Sequence, residues 1–109
     1  MATTFKNKVI KEVGAVPITA LETDAATRST IVGLSLANLT GGIIYASILI
    51  KDDTSITGYF LKDVLVPPNT SLRALSAGEK LILAPENQLL LLADQDAGLD
   101  AVISYVDIV

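Results

Sequence analysis

Apolar residues in this chain come in short runs that alternate with small or polar residues and stop at turn-forming residues. From Ser29 to Leu39, Val32, Leu34 and Leu36 fall on one parity, and Gly33, Ser35 and Ala37 on the other. From Tyr59 to Val66, Phe60, Val64 and Val66 oppose Tyr59, Leu61, Asp63 and Leu65. Near the end, Val102, Val106 and Ile108 oppose Ile103, Tyr105 and Asp107. Successive side chains of a strand point to opposite faces, so a period of two predicts strands with one face toward a core. Gly14, Asp24-Ala25-Ala26, Thr40-Gly41-Gly42, Asp52-Asp53-Thr54, Pro67-Pro68-Asn69, Ala77-Gly78, Ala84 to Asn87 and Asp94 to Gly98 punctuate the runs. Strands are predicted near 7–13, 16–23, 29–39, 43–51, 57–66, 71–76, 79–84, 88–93 and 99–108. Helices fit worse, because β-branched residues are dense and Gly or Pro recurs before three helical turns can form.

Regular short strands with this punctuation predict an all-β fold: a single antiparallel β-sandwich, jelly-roll or Ig-like, of about eight strands. The 109 residues suit one domain, 1–109, with 1–14 as an N-terminal arm or an edge strand. Lys6, Lys8 and Lys11 are compatible with either an arm that reaches a neighbour or a lysine-protected edge. Half of the residues are apolar, and cysteine is absent, so the fold must rest on packing without disulfides.

The bulky residues do not keep to one face. Ile43, Tyr45 and Leu49 oppose Ile44, Ile48 and Ile50, and Leu61 and Leu65 oppose Val64 and Val66. A free sandwich is expected to be polar outside. Either loops cover these strands or part of the second face is a subunit interface. Leu49, Tyr59, Leu61 and Leu65 are the candidate interface residues.

Composition removes most reactive chemistry. There is no histidine and no cysteine, so Ser/His/Asp triads, Cys nucleophiles and imidazole or thiolate metal sites are excluded. Carboxylates such as Asp63 and Glu79, lysines and tyrosines are the remaining acids and bases, and no motif groups them. No catalytic residue, metal ligand or cofactor is predicted, and the chain is not expected to be an enzyme. Asp52-Asp53 and the stretch Asp94 to Asp100 have carboxylates suited to calcium. They lack the glycine spacing and terminal glutamate of a calcium loop, so turns whose Asp side chains cap the backbone are expected. Gly41-Gly42 lacks the Lys-Ser or Lys-Thr of a phosphate loop and predicts a tight hairpin, with glycine supplying positive φ. Pro67-Pro68 should force a corner. Asn38-Leu39-Thr40 matches the N-glycosylation pattern, yet nothing in the sequence indicates secretion.

Net charge is -4, from 8 basic and 12 acidic residues, with the basic ones scattered. Direct nucleic-acid binding is not expected without a cluster of Lys and Arg. No apolar run approaches the roughly 18–20 residues that span a bilayer, and the N-terminus lacks a signal-peptide core. Five aromatics, Phe5, Tyr45, Tyr59, Phe60 and Tyr105, are few for a carbohydrate platform.

The order of segments resembles small virion structural proteins of tailed bacteriophages, including phages of marine bacteria and cyanobacteria. The likeness runs from Met1-Ala2-Thr3-Thr4-Phe5-Lys6-Asn7 through Ile31 to Thr40, then Tyr59 to Ser71 with its Pro67-Pro68-Asn69-Thr70 end. It closes with Gly78-Glu79-Lys80-Leu81-Ile82-Leu83-Ala84 and Asp100 to Val109. It is a structural pattern and carries no catalytic motif. The resemblance implies a β-sandwich in an oligomer on a particle, and the apolar strand faces are expected to drive self-association into a homo-oligomer, a trimer or ring. Its partners would be itself and other particle proteins such as the major capsid protein, with the virion as its location after synthesis in the host cytoplasm. A capsid decoration protein is the leading expectation. A neck, collar or tail accessory protein is the alternative within that class, and a host-surface or calcium-binding adhesin module the alternative outside it.

Overall fold

The computed structural model describes residues 2–75, 78–96 and 98–109. Its strands are β1 (Thr3–Val13), β2 (Ile18–Glu22), β3 (Arg28–Asn38), β4 (Ile44–Lys51), β5 (Thr57–Val66), β6 (Ser71–Arg73), β7 (Leu81–Leu83), β8 (Gln88–Ala93) and β9 (Leu99–Ile108). No helix among the described residues is long and apolar enough to cross a membrane. The end of the strand expected at 71–76, the turn at Ala77 and Ala97 of the acidic loop lie outside the described residues.

Two antiparallel sheets form. Sheet A runs β1-β9-β3-β6, with β7 also paired to β3, and sheet B runs β2-β8-β4-β5. β6 pairs with Ser35 to Ala37 and β7 with Ser29 to Ile31, so the two act as one interrupted strand along β3. Nested antiparallel pairs then follow: β1 with β9, β2 with β8, β3 with β6 and β7, and β4 with β5. This is a long hairpin, folded at the β4–β5 turn and rolled so that β9 meets β3 and β8 meets β4. That wrapping is the jelly roll, the first of the two sandwich types expected.

The core lies between the sheets. Ile31, Leu36, Leu83, Leu99 and Ile103 from sheet A meet Ile44, Ile48, Val66, Leu89 and Leu91 from sheet B, all fully buried. Within each strand these residues keep one parity, except in β3, where a bulge after Ile31 shifts it, and their burial at roughly 25 cal/mol per Å² is the main stabilising term. β9 illustrates the rule: Ile103 and Tyr105 are inside, while Val102 is 42% exposed.

Several sequence expectations fail at bulges. Val32 does not join Leu34 and Leu36 inside. A register shift between Ile31 and Gly33 turns it out, and it is 46% exposed. β5 shifts twice against β4, between Ala46 and Ile48 and again between Ile48 and Leu49. An extra residue in one strand reverses the parity beyond it. Leu61 is thereby set opposite buried Ile48 and packs against the core, away from the face of Tyr59 and Leu65. Asp63 lies at this irregularity with φ of 49°.

The Gly41-Gly42 turn is also different from expectation. It joins β3 of sheet A to β4 of sheet B, so it is a crossover and not a hairpin. Neither glycine has positive φ. Side chains hold the turn instead: Asn38 Nδ2 donates to the Gly42 carbonyl at 2.8 Å, and Asn38 Oδ1 accepts from the Thr40 amide at 2.9 Å. Asn38 is 2% exposed, so the glycosylation pattern there is a buried structural device. Pro67-Pro68 does mark a corner, where the chain leaves β5 in sheet B for β6 in sheet A.

Residues 3–6 were expected outside the first strand but belong to β1. β9 is ten residues long and supplies partners as far as Thr3, which opposes Ile108. The N-terminal segment is therefore an edge strand of sheet A.

Candidate interaction surface

The outer face of sheet B gathers apolar side chains from three adjacent strands. Residues directly opposite on neighbouring strands project to the same side. Tyr45 opposes Leu65, and Leu49 opposes both Tyr59 and Leu90. Ser47, two residues from each on β4, opposes Leu92. Tyr45, Leu65 and Tyr59 are 41%, 44% and 53% exposed. Leu49, Leu90 and Leu92 are half-buried by their neighbours. Three of the four expected interface residues, Leu49, Tyr59 and Leu65, thus share one face, and Leu61 lies on the other. Leu90 and Leu92 were not anticipated. In the run Leu89 to Leu92 the two parities are identical, so only the neighbouring strands decide which leucines face out.

One polar point interrupts this face. Ser47 is 3% exposed, accepts from the Asp63 amide at 3.0 Å and donates to Asp63 Oδ1 at 3.4 Å. These bonds tie the bulged part of β5 to the centre of β4. At the margin, Lys62 Nζ sits 5.4 Å from the centre of the Tyr59 ring, and Lys51 opposes Thr57 and Gln88. An apolar centre with a polar rim is the usual composition of a protein contact.

The outer face of sheet A is lined by β-branched and small residues together with Phe5. Phe5, Val9, Val32, Ile82 and Val102 are all exposed, with Val9 opposite Val102. A shallow depression of about 340 Å³ lies over Gly33, Ser35, Val102 and Ser104, with Arg73 at its side.

Asp52, Asp94 and Asp100, among the carboxylates suited to calcium, accept hydrogen bonds from backbone amides. Asp52 Oδ1 accepts from the Thr54 amide at 2.9 Å, the Thr54 hydroxyl at 2.6 Å and the Ile56 amide at 3.0 Å, closing the β4–β5 turn. The Thr54 hydroxyl, followed by the Ile56 amide, holds the Asp52 carboxyl below its ordinary pKa. Asp24 is lowered in the same way by Thr27 and the Ala26 amide. Asp94 Oδ1 accepts from the Tyr45 amide at 3.0 Å. Asp63 and Glu79, the acids named as possible catalytic groups, lie on different parts of the sandwich: Asp63 is in β5 of sheet B, and Glu79 is in the loop before β7 of sheet A. Among the described residues no three acidic side chains gather as a metal site would require.

No protein-family model matches this chain, and no curated protein matches it either. A solved structure does share its fold. A subunit of Bacillus endospore appendages, described as a family of disulfide-linked pili, superposes with a TM-score of 0.58 at 8% identity, over 96% of this chain and 86% of that one. A chain of the infectious bursal disease virus Gt strain gives a TM-score of 0.48 at 12% identity, over 98% of this chain and 33% of that one. VP2 of the infectious bursal disease virus subviral particle gives 0.27 at 13% identity, over 94% of this chain and 40% of that one. This chain therefore spans a third or so of those viral chains. At these identities the pilus likeness shows a shared fold.

Proposed function

We propose that this chain is a non-enzymatic structural subunit of a bacteriophage particle, and within that class a capsid decoration protein. The observation that carries the reading is the apolar outer face of sheet B, where Tyr45, Leu49, Tyr59, Leu65, Leu90 and Leu92 lie together. Water is a poor partner for such a face, and a second protein surface is a good one. The phage assignment rests on the sequence resemblance. A subunit with a sheet already complete can dock through preformed side chains and loses little conformational freedom when it does. The endospore pilus subunit with a similar fold belongs to a disulfide-linked assembly. This chain has no cysteine, so its contacts would be non-covalent.

Quantitative mass spectrometry of purified particles tests the role. Hundreds of copies per particle support decoration of the head. About a dozen copies would place the chain on the portal axis as a neck or tail component, and absence from particles would overturn the reading.

A further inference from the structure

Sheet edges are reactive because their unpaired N–H and C=O groups can add a further strand. Most edges here are blunted. β2 has five residues and a register shift, β5 is bulged twice, and β6 and β7 have three residues each. β1 is different. It is 11 residues long and pairs with β9 without interruption from Thr3 to Ile10.

Lysines usually guard such an edge. Two of the three on β1 are turned away from it: Lys6 Nζ lies 3.0 Å from Asp107 and Lys11 Nζ 3.4 Å from Asp100, both carboxylates of β9. The hydrogen-bond phase of the strand is also fixed. Ala2 and Val109 exchange N–H···O bonds of 3.2 and 2.9 Å. In an antiparallel ladder such pairs alternate, so Thr4, Lys6, Lys8 and Ile10 bond to β9, and Thr3, Phe5, Asn7 and Val9 direct their backbone groups to the open edge.

A second β1 could pair with that edge about a two-fold axis, and charge selects the register. Centring on Lys6 or Lys8 sets each lysine against itself, and centring on Asn7 sets Lys6 against Lys8. Like charges directly opposite are destabilising. Centring on Val9 runs into the register shift after Ile10. Centring on Phe5 sets Lys6 against Thr4, Lys8 against Ala2 and Thr3 against Asn7. It also brings the two Phe5 rings together. Phe5 is 81% exposed, the most of any large apolar residue described, and an open depression of about 560 Å³ lies beside it along Asn7 and Ser104.

We propose that β1 is a self-association edge: it pairs antiparallel with β1 of a second copy, centred on Phe5, and joins two A sheets into one. This contact is separate from the outer face of sheet B and does not depend on the particle role. A subunit with two different contacts can extend beyond a closed dimer.

The absence of native cysteine allows a direct test by disulfide trapping in the full chain, in a Leu65→Lys background that removes the sheet B contact. Paired positions of this ladder lie about 5.5 Å apart at Cα, within disulfide reach. Phe5→Cys should cross-link to itself. Thr3→Cys mixed with Asn7→Cys, which keeps Phe5, should give heterodimers. Asn7→Cys alone should not, because its two copies are offset by four residues, about 13 Å along the strand. Val16→Cys, 76% exposed between β1 and β2, reports random collision. The expected result is several-fold more dimer for Phe5→Cys and for the mixture than for Asn7→Cys or Val16→Cys. Equal cross-linking across the four samples overturns the proposal, as does Asn7→Cys alone matching the mixture.

Discussion

Asn38 Nδ2, on the last residue of β3 in sheet A, donates at 3.0 Å to the carbonyl of Val66, the last residue of β5 in sheet B. The same amide donates to Gly42, and its oxygen accepts from the Thr40 amide and hydroxyl. One buried side chain thus fixes a crossover and stitches the two sheets. Asn38→Ala would leave buried backbone groups unpaired, at a cost of about 2–4 kcal/mol. Urea unfolding measures it, and a loss below about 1 kcal/mol would contradict this role.

Leu61 and Leu65 test the bulge in β5. Both have the same parity in sequence, yet Leu61 packs on the core and Leu65 is 44% exposed. Leu61→Ala is expected to destabilise the monomer by about 1–3 kcal/mol, below the full-burial range because Leu61 is only partly covered. Leu65→Ala should stay within about 0.5 kcal/mol in monomer stability. Reversed values in urea melts would mean that the parity is uninterrupted.

Most of the architecture was legible in the chain. Each predicted strand exists, because period-two patterning and turn residues are local signals and this fold obeys them. Ile44 and Ile48 were correctly opposed to Tyr45 and Leu49. What failed was non-local. Whether Gly41-Gly42 closes a hairpin or crosses between sheets depends on which strand β4 meets, and parity alone says nothing of that. Val32 and Leu61 changed faces at bulges, which leave no mark on hydrophobic alternation. Within the candidate surface, Leu49, Tyr59 and Leu65 could be read from parity, whereas Leu90 and Leu92 needed the β4–β8 register.

Gly98 is required by space. A Cβ there would meet Thr40 Cγ2 at 2.7 Å and Ile44 Cδ1 at 2.9 Å, while the Gly98 carbonyl accepts from the Leu39 amide. Gly98→Ala should cost about 1–3 kcal/mol through overpacking. Gly41→Ala meets nothing within 4 Å and should be close to neutral. Thermal melts of the two variants should separate them, and equal melting temperatures would refute the difference.

Acid should weaken the fold through Asp24 and Asp52. Both carboxyls titrate below their ordinary 3.8 when folded, because their ionised forms accept hydrogen bonds from Thr27 and Thr54 and from nearby amides. A lowered folded pKa contributes stability that is present above the unfolded value and disappears as pH falls through the folded one. The urea midpoint should therefore drop below about pH 4. Asp52→Asn should flatten part of that drop, and an unchanged profile would show that the turn does not depend on the charged form.

The outer face of sheet B is the claim on which the functional reading stands, and molar mass in solution tests it most directly. Light scattering at micromolar concentration should give a mass well above the 11.4 kDa of one chain. Phe5→Asp, which silences the β1 edge, should keep a mass well above that of one chain, and adding Leu65→Lys should return the protein to the single-chain mass with its circular dichroism unchanged. A wild-type protein that scatters as a lone 11.4 kDa chain would contradict the account.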